Sequence, residues 1–147
     1  MASATTLMLL VATTSCGGKS EPDAISKDKY CGDMYEAHQN YQANAFVFIG
    51  YSSDDKSKKY LDTGTFWLWD GANKITNKLL KGTIHWADAL GMVDLLLKLE
   101  TSSTDLRVLL EAKSSNKQDI VAAIKTVDIA YKKAIDVCPA IWKTDLP

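Results

Sequence analysis

Ser115 to Pro139, SNKQDIVAAIKTVDIAYKKAIDVCP, is the stretch whose pattern decides the fold. Ile120, Ile124, Val127, Tyr131, Ala134 and Cys138 recur at alternating steps of four and three, so they line one face of a helix. Ser115 and Gln118 have the spacing of a capping box, which makes Ser115 the predicted N-cap. Pro139 lacks the backbone N–H needed to continue a helix, so the element stops before it.

The same period recurs towards the N-terminus. Tyr30, Met34, Ala37, Tyr41, Ala45 and Phe48 form a second stripe, predicting a helix of about 20 residues that ends near Gly50. Tyr51 to Ser57 reads as a break. Phe66-Trp67-Leu68-Trp69 fits either a short strand or the first turn of a helix, with Gly64 and Gly71 weakening both. Ile75 and Leu79 resume the helical spacing, and Gly82 is a predicted C-terminal cap. A third stripe, Trp86, Leu90, Val93 and Leu97, is widened by Ala89 and Leu96. Gly91 inside it costs about 1 kcal/mol relative to alanine, a cost expected to be offset by close approach of a tryptophan. Thr101 to Thr104 reads as an interruption, followed by a short helix through Leu106, Leu109 and Leu110 to about Lys113. The prediction is a mainly α protein, an up-and-down bundle of about four to five helices in one domain over residues 29–147.

Composition narrows the function. Apolar residues are 46 % and charged residues 24 % of the 147, near the averages of a globular domain. The net charge of −1, with scattered lysines and Arg107 the only arginine, argues against a nucleic-acid partner.

The N-terminal segment carries the one recognisable motif. Met1 to Gly18 contains no charged residue, and Leu7 to Ala12 is continuously apolar, too short for a transmembrane helix of about 20 residues and suited to an export signal. Ala12, Thr13, Thr14 and Ser15 immediately precede Cys16, and Gly17 to Asp28 is polar, without apolar period. This boundary resembles the lipobox of small bacterial envelope lipoproteins of the Gram-positive and actinobacterial type. The resemblance implies a signal peptide over 1–15, covalent lipid on Cys16, a flexible tether over 16–28 and a chain held on the outer face of the cell membrane. An ordinary cleaved signal peptide, or a hydrophobic leader in which Cys16 has no role, is the alternative.

Three cysteines are an odd count for an exported chain. If Cys16 is acylated, one pair remains, with Cys31 at the start of the first long helix and Cys138 at the end of the last. An even number of up-and-down helices brings those points to the same end, predicting a disulfide that joins the terminal helices. Two separate buried thiols are the competing reading.

No catalytic constellation is legible. His38 sits at the edge of the first stripe as a half-buried structural histidine, and His85 with Asp88 has the i,i+3 spacing of a polar pair that is commonplace on helices. Glu-x-x-His, Cys-x-x-Cys, Gly-x-Ser-x-Gly and glycine-rich phosphate loops are absent from the sequence, so neither an enzyme, a metal site nor a cofactor is expected beyond the lipid. Most of the tryptophans are expected in the core, and a packed core is the leading reading of Phe66-Trp67-Leu68-Trp69; because four consecutive large apolar residues cannot all face one core, Phe66, Trp67 and Trp69 are also a candidate interaction surface. The leading expectation is a non-catalytic, membrane-anchored protein that binds an envelope protein as an accessory subunit. A small-ligand or lipid-binding module and a phage-encoded superinfection-exclusion lipoprotein are the alternatives.

Overall fold

The computed structural model describes residues 25–81, 86 and 89–143. Cys16 and the leader, and also Gly82, His85 and Asp88, lie outside the described residues. Four α-helices, α1 (Lys27–Gly50), α2 (Asp55–Leu80), α3 (Met92–Glu111) and α4 (Lys117–Ala134), run up and down in sequence. Two 3-10 turns, Ala89–Gly91 and Ala140–Trp142, sit at the end that holds the start of α1.

Local chemistry sets the helix boundaries. Ser26 accepts a hydrogen bond from the Lys29 N–H and starts α1 two residues ahead of the predicted boundary; Ile25 before it is buried. The folded part therefore takes in residues 25–28, assigned from sequence to the tether. Asp54 caps α2 through the Ser57 N–H, so that helix begins inside the predicted break. Asn116, not Ser115, caps α4: its side-chain oxygen accepts from the Asp119 N–H at 2.9 Å, three residues on.

Two expectations about the middle of the chain are corrected. Phe66 to Trp69 lie in the centre of α2, neither in a strand nor at a helix start. Thr101 to Thr104 do not interrupt α3, because the hydroxyls of Thr101, Ser102 and Thr104 donate to the carbonyls of Leu97, Lys98 and Glu100 one turn back. Ser103 is small enough to be buried among the α3 core residues.

The buried face of α3 is also rotated from the predicted stripe. Ala89, Met92, Leu96, Leu99, Leu106 and Leu110 are buried while Leu90 and Leu97 are exposed. The 3-10 turn before Met92 shifts the phase of the helix relative to a period started at Trp86. Gly91 admits no tryptophan; a Cβ there would meet open space.

Glycine has a different role between α1 and α2. A Cβ on Gly64 would lie 2.9 Å from the Asn40 carbonyl oxygen and 2.9 Å from the Tyr41 Cα, and one on Gly71 would lie 2.6 Å from the Ala37 Cβ. These two glycines let the helix backbones approach one another. Overpacking costs about 1–3 kcal/mol, and alanine recovers about 1 kcal/mol of helix propensity. Gly64→Ala is therefore expected to destabilise the bundle by up to about 2 kcal/mol in urea unfolding, whereas Gly91→Ala should leave the midpoint unchanged or raise it.

α1 lies close along α2, α2 along α3 and α3 along α4, but the seam between α1 and α4 is wider. Long side chains span it. The Tyr30 hydroxyl donates to the Ala134 carbonyl in the last turn of α4, and the Tyr41 hydroxyl donates to the Ile124 carbonyl at 3.1 Å. At the Tyr30 end of the seam, Cys31 and Cys138 form a disulfide with Cα atoms 5.7 Å apart.

Candidate interaction surfaces

The apolar quartet of α2 divides among three directions. Leu68 is buried, and at 100° per residue Trp67 and Trp69 flank it on opposite sides. Trp69 turns towards α3, where its ring lies 6.0 Å from that of Phe66. The Arg107 guanidinium, 2.8 Å from Asp62, sits 5.2 Å over Phe66. This aromatic pair is thus half-buried beneath a cation–π contact. Trp67 is 49 % exposed and lines a groove of about 590 Å³ between α1 and α2. Asp33, Glu36 and Asp70 on the groove walls face Lys74, Lys78 and Lys81, so it has no single sign of charge. Trp67 also meets Phe66, their rings edge to face at 5.6 Å, so Phe66 links Trp67 and Trp69 in one aromatic run across α2.

A second aromatic set fills the seam between α1 and α4. His38 is buried, not half-buried, with its ring 3.7 Å from that of Tyr131 and 6° from parallel. Ala37, predicted in its place, turns towards Gly71 and lets His38 point at α4. Burial, assisted by the positive charge of Lys132, lowers the His38 pKa to about 4. Burial likewise raises the pKa of Tyr30, Tyr41 and Tyr131, and it raises that of the Asp128 carboxyl despite the opposing pull of the Tyr41 hydroxyl and Lys132.

Beyond Tyr41 the seam opens into an apolar groove of about 280 Å³ lined by Gln42, Ala45, Phe46, Ile49, Ile124 and Asp128. Apolar side chains are exposed at its rim and beside it. Phe46 (51 % exposed), Val47 (43 %), Ile49 (43 %) and Tyr51 (77 %) stand in the last turns of α1 and just after it. The rings of Phe46 and Tyr51 meet edge to face at 5.6 Å. This cluster was missed in the sequence, although Phe46-Val47-Phe48-Ile49 carries the same signal as the α2 quartet: four consecutive apolar residues of which a helix hides one, here Phe48.

Among the described residues no group of three or more His, Cys, Asp or Glu is placed to hold a metal ion, and no helix is long and apolar enough to cross a membrane. The fold and its surfaces define a disulfide-joined four-helix bundle with apolar side chains exposed at the far end of α1. Compared with known proteins, the chain matches no family model, no curated protein and no solved structure.

Proposed function

We propose that the protein is an exported envelope lipoprotein, held to the outer face of the cell membrane through lipid on Cys16, whose bundle binds an envelope or membrane protein as a non-catalytic accessory subunit. The Cys31–Cys138 disulfide supports export, since such bonds persist in oxidising compartments. It also leaves Cys16, at the boundary between apolar leader and polar tether, as the one cysteine outside the bond.

Partner binding is carried by the cluster of Phe46, Val47, Ile49 and Tyr51. Apolar and aromatic side chains exposed side by side are the usual anchors of protein interfaces. A photo-crosslinking residue at Phe46 or Tyr51 is expected to trap one discrete membrane protein in intact cells, and the same probe at Lys125 is expected to trap none. The double variant Phe46→Ser with Tyr51→Ser should reduce co-purification at least about tenfold while leaving the melting temperature within a few degrees. Migration of the wild-type protein alone after gentle extraction overturns the reading.

The groove beside Ile124 favours a second reading, a module for a small apolar ligand. Stabilisation by short-chain lipids that Ala45→Trp abolishes by filling the groove is its signature.

A further inference from the structure

The opposite end of the bundle exposes a different surface. Leu80 closes α2, Leu90 lies in the 3-10 turn before α3, and Ile141 lies in the 3-10 turn after α4; they are 63 %, 69 % and 79 % exposed. The antiparallel course of the helices brings all three to the end where α1 begins. Trp142 and Trp86 back this face, the first with its ring 5.8 Å from Tyr35 and the second 5.6 Å from Tyr30. The disulfide lies at the same end and fixes the 3-10 turn of Ile141 beside α1.

The charges at this end are suited to an anionic surface. Lys81 at the α2 terminus and Lys132 and Lys133 in the last turn of α4 are exposed, and Lys132 also acts on the Asp128 carboxyl. Lys29 and Lys143 are paired with Asp33 and Asp136. Exposed aliphatic side chains, half-buried tryptophans and exposed lysines together match the boundary between headgroups and acyl chains.

Chain length selects the occupant. Nine peptide links separate Cys16 from Ile25, the first buried residue, and they span at most about 30 Å, or about 17 Å as a flexible coil. A lipid on Cys16 therefore keeps this end of the bundle, and not the other, at the bilayer. At the far end Phe46 stands about 29 Å and Tyr51 about 36 Å away along α1, beyond the reach of a flexible coil of that length.

We infer that Leu80, Leu90 and Ile141 form a membrane-contacting face that seats the bundle end-on against an anionic bilayer. The inference rests on the lipid anchor proposed above for its geometry. It separates two surfaces of similar apolar character by their distance from the anchor: the near one meets lipid and the far one remains free for a protein.

The test couples the Cys16 thiol of the oxidised chain to a maleimide-headgroup lipid in vesicles of phosphatidylglycerol and phosphatidylcholine, and compares hydroxyl-radical labelling with that of the uncoupled protein. Labelling of Leu80, Leu90 and Ile141 is expected to fall at least about threefold on the vesicles, with Phe46, Tyr51 and Val108 unchanged. Replacing the anionic lipid by phosphatidylcholine alone, or introducing Leu80→Glu with Ile141→Glu, should restore the labelling of Leu90. Unchanged labelling of the three residues on anionic vesicles, or protection of Phe46 and Tyr51 in their place, overturns the inference. Intact mass of the protein from its native membrane reports acylation of Cys16 independently. An unacylated native protein overturns the anchor and leaves the vesicle measurement standing as evidence about the face itself.

Discussion

Reduction of the Cys31–Cys138 bond is expected to remove about 4 to 5 kcal/mol of stability. The bond closes a loop with a sequence separation of 107, and in the chain-entropy description a cross-link of about 100 residues stabilises by about 4.7 kcal/mol through restriction of the unfolded chain. The same bond holds the wide seam between α1 and α4, where side chains in place of close backbone packing join the two helices. Without it the seam depends on the hydrogen bonds of Tyr30 and Tyr41 and the stack of His38 on Tyr131. Guanidinium unfolding of a Cys16→Ser protein with and without reductant, beside Cys31→Ser with Cys138→Ser, measures the effect. A fall in melting temperature of more than about 10 °C is expected for both reduced forms. A change below about 1 kcal/mol would show that packing along the other three helix pairs suffices.

Acidification is expected to weaken the fold through His38. Its imidazole has a pKa of about 4 in the bundle against the ordinary 6.5, because burial disfavours the charged form and Lys132 repels it. Between those values the unfolded chain binds the proton and the folded chain does not. Stability contributed by neutral His38 is therefore complete above about pH 6.5 and declines as the pH falls towards 4. The loss from pH 7 to pH 4.5 amounts to about 2 to 3 kcal/mol from this residue. Asp128 works in the opposite sense: its raised pKa makes its ionised form a burden at neutral pH that protonation relieves. Tyr41 and Tyr131, whose rings lie against His38, have pKa values raised by burial and stay neutral throughout this range. His38→Phe keeps an aromatic ring against Tyr131 and removes the titration, so its stability should change by about 2 to 3 kcal/mol less over the same interval. Parallel curves for the two proteins would exclude His38 as the origin.

The helical stripes were legible wherever apolar spacing alone decides a face. Ile120, Ile124, Val127, Tyr131 and Ala134 on α4, and Tyr30, Met34, Tyr41, Ala45 and Phe48 on α1, are buried as their period requires. The pairing of Cys31 with Cys138 was legible from their positions at the outer ends of those two stripes. Local polarity misled the reading elsewhere. Thr101 to Thr104 resemble a break until their hydroxyls are seen to bond within the helix, and Gly64 and Gly71 resemble helix breakers until α1 is seen against them.

What the sequence by itself determined is the class of the fold, its up-and-down order and the cysteines that join its ends, because these follow from periodicity and from the positions of a few residues along the chain. Only the tertiary structure decided which apolar residues remain outside. The exposure of Phe46, Tyr51, Leu80, Leu90 and Ile141, that of Trp67 beside half-buried Phe66 and Trp69, and the burial of His38 all depend on which face each neighbouring helix covers. The spacing of α1 against α2 at Gly64 and Gly71, and the wider seam between α1 and α4, belong to the same level. They arise from contacts between residues far apart in the chain, which no local pattern encodes.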